Sequence, residues 1–181
     1  MSFDQCEALS LRSYPYSETH LIVVFLTRNS GQLRSIAYGA KSGQNRRFGS
    51  GLEPLTHSKL SYSNQEGQEL GVLRDLEILH AYPAYDLDWE EKLYFACFTE
   101  LLQEFTNEGK PAEDVFRLSL AVLESVGCVP ISCLARYFEL WLLRLEGILP
   151  SLGTRLPQKL ASKALRYMAT PPHELCGDGL T

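Results

Sequence analysis

His20-Leu21-Ile22-Val23-Val24-Phe25-Leu26, then Asn29-Ser30-Gly31, then Gln32 to Tyr38 with Leu33, Ile36 and Tyr38 apolar, reads as strand, turn and strand. The first run is continuous in β-branched and aromatic residues, which fits a strand buried on both faces. The Asn-Ser-Gly triplet carries turn chemistry, and the segment after it is strand-like again. Working outward, Cys6 to Arg12 alternates apolar with polar, the period of a half-buried strand, and Tyr14-Pro15-Tyr16-Ser17-Glu18 interrupts it. Pro54 to Tyr62 and Leu70 to Leu79 read as two further strands around the turn Ser63-Asn64-Gln65-Glu66-Gly67. Five short strands within residues 3 to about 81 predict a small closed barrel, and a five-stranded OB-fold is the economical choice.

At Tyr82-Pro83 the period becomes helical. Asp88-x-x-Glu91 has the form of a capping box. Leu93, Cys97, Leu101 and Phe105 recur every four residues, with Tyr94, Phe98 and Leu102 beside them, and this helix is expected to end near Asn107-Glu108-Gly109. Pro111, Glu113 and Asp114 suit the start of a second helix, striped by Phe116, Leu120 and Leu123 and stopped by Gly127. A third helix is predicted from Ile131 to Ile148, apolar at Leu134, Tyr137, Phe138, Trp141, Leu142, Leu145 and Ile148, and a shorter fourth from about Gln158 to Ala169. Tyr94, Phe95, Phe98, Tyr137, Phe138 and Trp141 are expected in a core. The predicted class is α+β: an OB-fold barrel over 1–82, an α-helical domain over 83–170 and a frayed tail over 171–181.

Charge is segregated along the chain. Thr19 to Leu52 holds five basic residues, Arg28, Arg34, Lys41, Arg46 and Arg47, and no acid, although the chain of 181 residues carries a net charge of −5. Such segregation costs self-repulsion and marks a surface for an anion. The densest part is the glycine-containing loop from Tyr38 to Gly49, where Tyr38 and Phe48 bracket Lys41, Arg46 and Arg47. Cations that neutralise phosphate, beside aromatic faces that stack on bases, hold single-stranded nucleic acid without reading sequence. Glu53 to Asp114 then carries fourteen acids against four bases, and the balance turns basic again from Arg117 onward. A chain polarised in this way binds a polyanion on one side, which suits a mediator with several partners.

Catalytic and metal motifs do not assemble. Gly39-Ala40-Lys41-Ser42 ends like a phosphate loop but has Ser35 and Ala40 where the two glycines are required. Gly49-Ser50-Gly51 lacks nucleophile-elbow spacing, and His173-Glu174 has no second histidine in register. Glu90 and Glu91 diverge on a helix, and His20, His57 and His80 each sit alone in a strand pattern. The five cysteines, Cys6, Cys97, Cys128, Cys133 and Cys176, contain no Cys-x-x-Cys pair; Cys97 is expected in the core, and no metal or cofactor is expected. An odd cysteine count, an N-terminus without signal-peptide features and no run of 18 apolar residues point to a reducing cytoplasm, no membrane span and a function other than catalysis.

Several blocks, in order, resemble the N-terminal domain of the bacterial recombination-repair mediator family RecO: Tyr16-Ser17-Glu18-Thr19, Leu26 to Gly31, Ala37 to Lys41, Arg46-Arg47-Phe48 and Leu52-Glu53-Pro54-Leu55. Arg74-Asp75-Leu76-Glu77 and Arg136 to Gly147 look like the family's next two blocks, so the resemblance covers about residues 5 to 150. It implies an OB-fold followed by a helical domain, binding of single- and double-stranded DNA, annealing of complementary strands, and a nucleoid-associated cytoplasmic location. The implied partners are RecR and the acidic C-terminal tail of single-stranded DNA-binding protein (SSB), and RecA indirectly through loading on coated strands. The family's DNA surface would map to Arg28, Arg34, Lys41, Arg46 and Arg47, with Phe48 at the loop's end.

Where many relatives carry a four-cysteine zinc module after the block ending at Gly147, Pro150 to Gly153 runs almost directly to the last predicted helix, so the chain looks like a member without that module. Tyr38 stands where a basic residue is common in the family, and the family's usual final helices are not recognisable past Pro172. An alternative role is a protein-interaction adaptor with little DNA affinity. Arg136 and Arg144 lie within about 80° of each other on an ideal helix, beside Tyr137 and Trp141, and such a basic rim suits an acidic-hydrophobic tail.

Overall fold

The computed structural model describes residues 4–41, 48–64, 70–82 and 87–149. The chain divides into two compact units, Met1–Phe116 and Arg117–Thr181.

The first unit is built on five strands, β1 (Asp4–Pro15), β2 (Leu21–Thr27), β3 (Gly31–Ala37), β4 (Thr56–Ser63) and β5 (Gly71–Ala81). They close into a barrel in the order β1-β2-β3-β5-β4. The strand β1 makes closure possible. Its first half pairs antiparallel with β4, Asp4 opposite Tyr62 through Leu9 opposite His57, and its second half pairs with β2, Ala8 opposite Thr27 through Pro15 opposite Leu21. A bulge between Ser10 and Arg12 bends it from one neighbour to the other. Only β3 and β5 run parallel, joined at Ser35–Gly71 and Ile36–Val72. This is the OB-fold arrangement expected from the strand pattern. The predicted interruption at Tyr14-Pro15 falls inside β1, because a proline at the end of a strand gives up no ladder bond its neighbour needs.

The run Leu21–Thr27 is buried from Val23 onward on both faces. Val23 and Phe25 point inward with Ala8, Leu33, Leu60, Tyr62 and Leu73 to fill the barrel. The alternate residues Leu9, Leu11 and Leu26 point outward and are nonetheless 0–1% exposed, and the helix α1 (Trp89–Phe105) packs against β1.

Asp88 caps α1: its carboxylate accepts from the Glu91 backbone N–H at 2.8 Å, and the Glu91 carboxylate accepts from the Asp88 N–H at 3.0 Å. The buried stripe of α1 is Phe95, Phe98 and Leu102, rather than the four-residue series read from the sequence. Leu93 is 54% exposed and Cys97 is exposed, contrary to the expectation that Cys97 lies in the core. A strict four-residue spacing drifts about 40° per step around a helix with 3.6 residues per turn, whereas spacings of three and four together stay on one face.

The helix α2 (Glu113–Glu124) spans the boundary between the units, and α3 (Ile131–Leu145) lies in the second. In α3 the residues Leu134, Tyr137, Phe138 and Leu142 are buried. This helix stops short of the predicted Ile148. Gly147 takes a positive φ of 69°, and the N–H groups of Gly147 and Ile148 donate back to Arg144 and Leu143 at 3.1 and 2.9 Å. Leu145 and Ile148 are therefore outside the buried stripe, 36% and 59% exposed. Of the six aromatics expected in a core, Phe95, Phe98, Tyr137 and Phe138 are buried, while Tyr94 and Trp141 are half-buried. The predicted fourth helix and the tail lie outside the described residues.

Candidate nucleic-acid interface

The basic loop that follows β3 is anchored at both ends. On the entry side, the backbone N–H of Lys41 donates to the Thr19 carbonyl at 3.1 Å, and its ammonium donates to the Ser17 carbonyl at 3.0 Å. Beside it, the Gly39 N–H donates to Nδ1 of His20 at 3.1 Å, and the His20 ring meets the half-exposed Tyr38 edge-on with centroids 4.8 Å apart. His20 thus sits in the turn before β2 and orders the loop rather than occupying a strand. On the exit side, the segment Phe48 to Leu55 closes one end of the barrel. Gly51 N–H donates to Phe48 O at 2.9 Å, Ser10 Oγ donates to Gly51 O at 2.8 Å, and Leu55 N–H donates to Ser10 O at 2.8 Å.

Phe48 is 4% exposed and packs in the barrel core with Phe25 and Leu52. The expectation that its ring flanks the charges as a stacking surface is therefore corrected. An apolar ring placed next to an open barrel end gains more from burial than from solvent exposure. Arg46 and Arg47 lie outside the described residues.

Arg28 and Arg34 are not free cations on an acid-free surface. Arg28, in the β2–β3 turn, donates from Nη2 to Oε1 of Glu113 at 2.9 Å and lies 3.8 Å from Glu7 Oε2. The hydrogen bond and charge of Glu113 push the Arg28 pKa further up. Arg34 reaches Oε1 of Glu108 at 2.9 Å. The stretch is acid-free in sequence, and folding brings acids to it from β1, from the segment between α1 and α2, and from the start of α2.

The outer face of β1, β2 and β3 carries a pattern that the strand-by-strand reading missed. In the ladder, Arg12 stands opposite Val24, which stands opposite Arg34, and Tyr14 stands opposite Ile22, which stands opposite Ile36. Tyr14, Ile22, Val24, Gln32, Arg34 and Leu70 line an open groove of about 670 Å³, with Gln103 and Glu108 at its edge. The Arg12 guanidinium lies over the Tyr14 ring, 5.0 Å from its centroid. An apolar floor, an exposed tyrosine and arginines on one sheet face can take stacked bases and their phosphates. The sequence pattern ends its alternation at Arg12 and makes Tyr14 part of a break, so neither their shared strand nor their register against Ile22, Val24 and Arg34 was legible there.

In the second unit, Arg136 is exposed and pairs with Glu139 at 2.9 Å. Arg144 lies over the Trp141 ring at 4.8 Å, and the Tyr137 and Trp141 rings lie 6.2 Å apart. Tyr137 is only 7% exposed, and burial pushes its phenol pKa up. Tyr137 belongs to the inward stripe of α3, so it is corrected from a surface contact to a support for Trp141. Among the described residues no three His, Cys, Asp or Glu side chains converge to hold a metal, and no helix is long and apolar enough to cross a membrane.

The family profile described as "Recombination protein O N terminal" matches residues 1–82, and that described as "Recombination protein O C terminal" matches residues 87–154. A protein from Koribacter versatilis (strain Ellin345) named "DNA repair protein RecO" is 38% identical over 148 residues, covering 82% of this chain and 60% of the relative. Relatives of the same name from Syntrophus aciditrophicus (strain SB) and Desulforudis audaxviator (strain MP104C) are each 32% identical, over 81% and 83% of this chain and 56% and 59% of their own. The chain thus spans less than two thirds of the length of these relatives. With the two family profiles matched in order over residues 1–82 and 87–154, and a relative 38% identical over 82% of this chain, the chain belongs to the RecO family of DNA repair proteins.

Proposed function

We propose that this chain is a nucleic-acid-binding mediator of recombinational repair, whose barrel, residues 1–82, takes up single-stranded DNA and promotes its annealing. The observation that carries the reading is the row Arg12–Val24–Arg34 beside Tyr14 and Ile22 on the outer face of β1–β3, next to the anchored basic loop. Phosphates would engage Lys41, Arg46, Arg47 and the two arginines of the row, and a base would lie on Tyr14. Arg28 and Arg34 contribute once their carboxylate partners are displaced. The membership of a family whose members are named DNA repair proteins supports the same reading. Double-stranded DNA is a second substrate of the same surface, since phosphate contact does not depend on strandedness. The role is one of binding and positioning, without a catalytic step, in the nucleoid of the cytoplasm.

Partners complete the role. RecR and the acidic tail of SSB are the proposed protein ligands, and RecA is served indirectly when the mediator delivers coated strands to it. The helical domain, residues 83–170, is the proposed seat of protein contacts. A second reading, an adaptor with weak DNA affinity, is favoured by one observation: Arg144 stacked on Trp141, with Arg136 exposed on the same helix, offers a cationic-aromatic edge to an acidic peptide.

Fluorescence anisotropy with a labelled single-stranded oligonucleotide, titrated at several salt concentrations, tests the first reading. Binding that weakens steeply with salt supports it. Folded protein that binds nothing at low salt overturns it in favour of the adaptor. For that reading, an acidic-tail peptide should bind the wild type and lose affinity for the Arg136→Glu and Arg144→Glu variants.

A further inference from the structure

Two arginines of β3 and the β2–β3 turn are held by carboxylates that follow α1 closely in sequence. Glu108 lies in the short segment between α1 and α2, and Glu113 opens α2; they take Arg34 and Arg28, each at 2.9 Å. The segment is fixed to the barrel by its backbone. The Gln32 N–H donates to the Asn107 carbonyl at 3.1 Å, and Glu108 forms isolated bridges to Gly31 and Gln32. Gly31 has φ +66°, and a Cβ at that position would overlap the carbonyl oxygens of Asn107 and Lys110. The Gln32 side-chain amide donates to the Thr106 carbonyl at 2.8 Å. Glu108 is thus delivered to Arg34 by a fastened strap, and Glu113 meets Arg28 from the first turn of the helix that follows it.

We infer that Glu108 and Glu113 form an internal acidic clamp that occupies Arg34 and Arg28 and competes with nucleic-acid phosphate for them. This rests on the reading of the barrel as a nucleic-acid-binding surface. A carboxylate already neutralising a guanidinium removes that cation from the set that condenses on phosphate, so it lowers both affinity and the counterion release that binding produces. Both arginines and both glutamates remain about half exposed, with side-chain exposures of 44–54%. Exposed ion pairs are individually weak, so a polyanion presenting several phosphates can displace the glutamates while an isolated anion cannot. The clamp thereby sets a threshold: strands that also engage Lys41, Arg12 and Tyr14 bind, and weaker anions are refused.

The test is the salt dependence of single-stranded oligonucleotide binding for Glu108→Gln/Glu113→Gln. A second double variant, Glu100→Gln/Glu104→Gln, removes the same charge from the exposed side of α1 and reports the general field. The clamp predicts tighter binding by Glu108→Gln/Glu113→Gln at every salt concentration, and a slope of log affinity against log salt steeper by at most about 1.4, the limit at which the wild type keeps both arginines on their glutamates, at about 0.7 per phosphate contact on single strands. The α1 variant should change affinity slightly and leave the slope alone. Adding Arg28→Ala/Arg34→Ala to the Glu108→Gln/Glu113→Gln background should erase the gain. Should the double variant fold poorly, each single Glu→Gln should deliver about half the change in slope.

Equal gains from the clamp and α1 variants, or a gain that survives loss of both arginines, overturn the clamp alone and leave the barrel as a binding surface. Absence of binding by every variant at low salt overturns both.

Discussion

Gln32 on β3 holds Thr106 at the end of α1: its side-chain amide donates to the Thr106 carbonyl at 2.8 Å and lies 3.3 Å from the Thr106 hydroxyl. The same amide also donates to the Gln103 carbonyl, and the Gln32 side chain is 9% exposed. This one residue therefore satisfies carbonyls at a helix C-terminus that the helix itself leaves without partners. Replacing it by alanine leaves those buried acceptors unpaired. Gln32→Ala should destabilise the protein by about 1–3 kcal/mol, and urea unfolding monitored by circular dichroism checks it.

Gly31 is the neighbouring constraint. Its φ of +66° and the close approach of the Asn107 and Lys110 carbonyls leave no room for a side chain. Gly31→Ala should cost more than the ~1–2 kcal/mol of the left-handed conformation alone, because the strap must also move. The unfolding midpoint should fall, and the variant should gain affinity for oligonucleotide if Glu108 is drawn away with the strap.

Phe48 separates packing from stacking. Phe48→Ala should lose roughly 3–5 kcal/mol, the cost of emptying a buried aromatic site. Phe48→Leu should cost less, and its folded fraction should bind a single-stranded oligonucleotide as the wild type does. A large drop in affinity for well-folded Phe48→Leu would return the ring to the binding surface.

The double variant Arg46→Ala/Arg47→Ala should weaken oligonucleotide binding and flatten its salt slope by about 1.4 if each arginine meets one phosphate. Unchanged affinity and slope, measured by anisotropy, would remove the 42–47 loop from the site.

The cysteines should react in an order set by their surroundings. Burial first, and then the nearby charge of Asp4, push the Cys6 thiol up to about 11 from an ordinary value of 9.0. A thiol raised in the folded state stays protonated, so its contribution to stability is full below pH 9.0 and is lost as pH rises toward about 11. At pH 8 iodoacetamide should label exposed Cys97 and Cys128 well before Cys6, with mass spectrometry as the readout. Cys6 labelling in folded protein should rise only near pH 11.

Much of the fold was legible because its signals are local. The β-branched run at Leu21–Thr27, the Asn-Ser-Gly turn and the strand beginning at Gly31 each declare themselves within a few residues. The Asp88–Glu91 box announced a helix start that its two hydrogen bonds realise. Five strands of this length leave few ways to bury every apolar face, so barrel closure follows from the pattern. The ordered family blocks added the same conclusion from another side.

Of the site, the sequence determined the cations and little of their circumstances. It placed Arg28, Arg34, Lys41, Arg46 and Arg47 in one stretch without acids. Tertiary structure alone decided that Glu108 and Glu113 reach two of them, that Phe48 turns into the barrel, and that Arg12 and Tyr14 stand in register with Val24 and Ile22. It also decided which turn of α1 is buried, choosing Phe95, Phe98 and Leu102 over Leu93 and Cys97. The physical reason is range. Backbone periodicity and capping are set by neighbours in the chain, whereas ion pairs, register and the direction of a side chain depend on what barrel closure brings alongside.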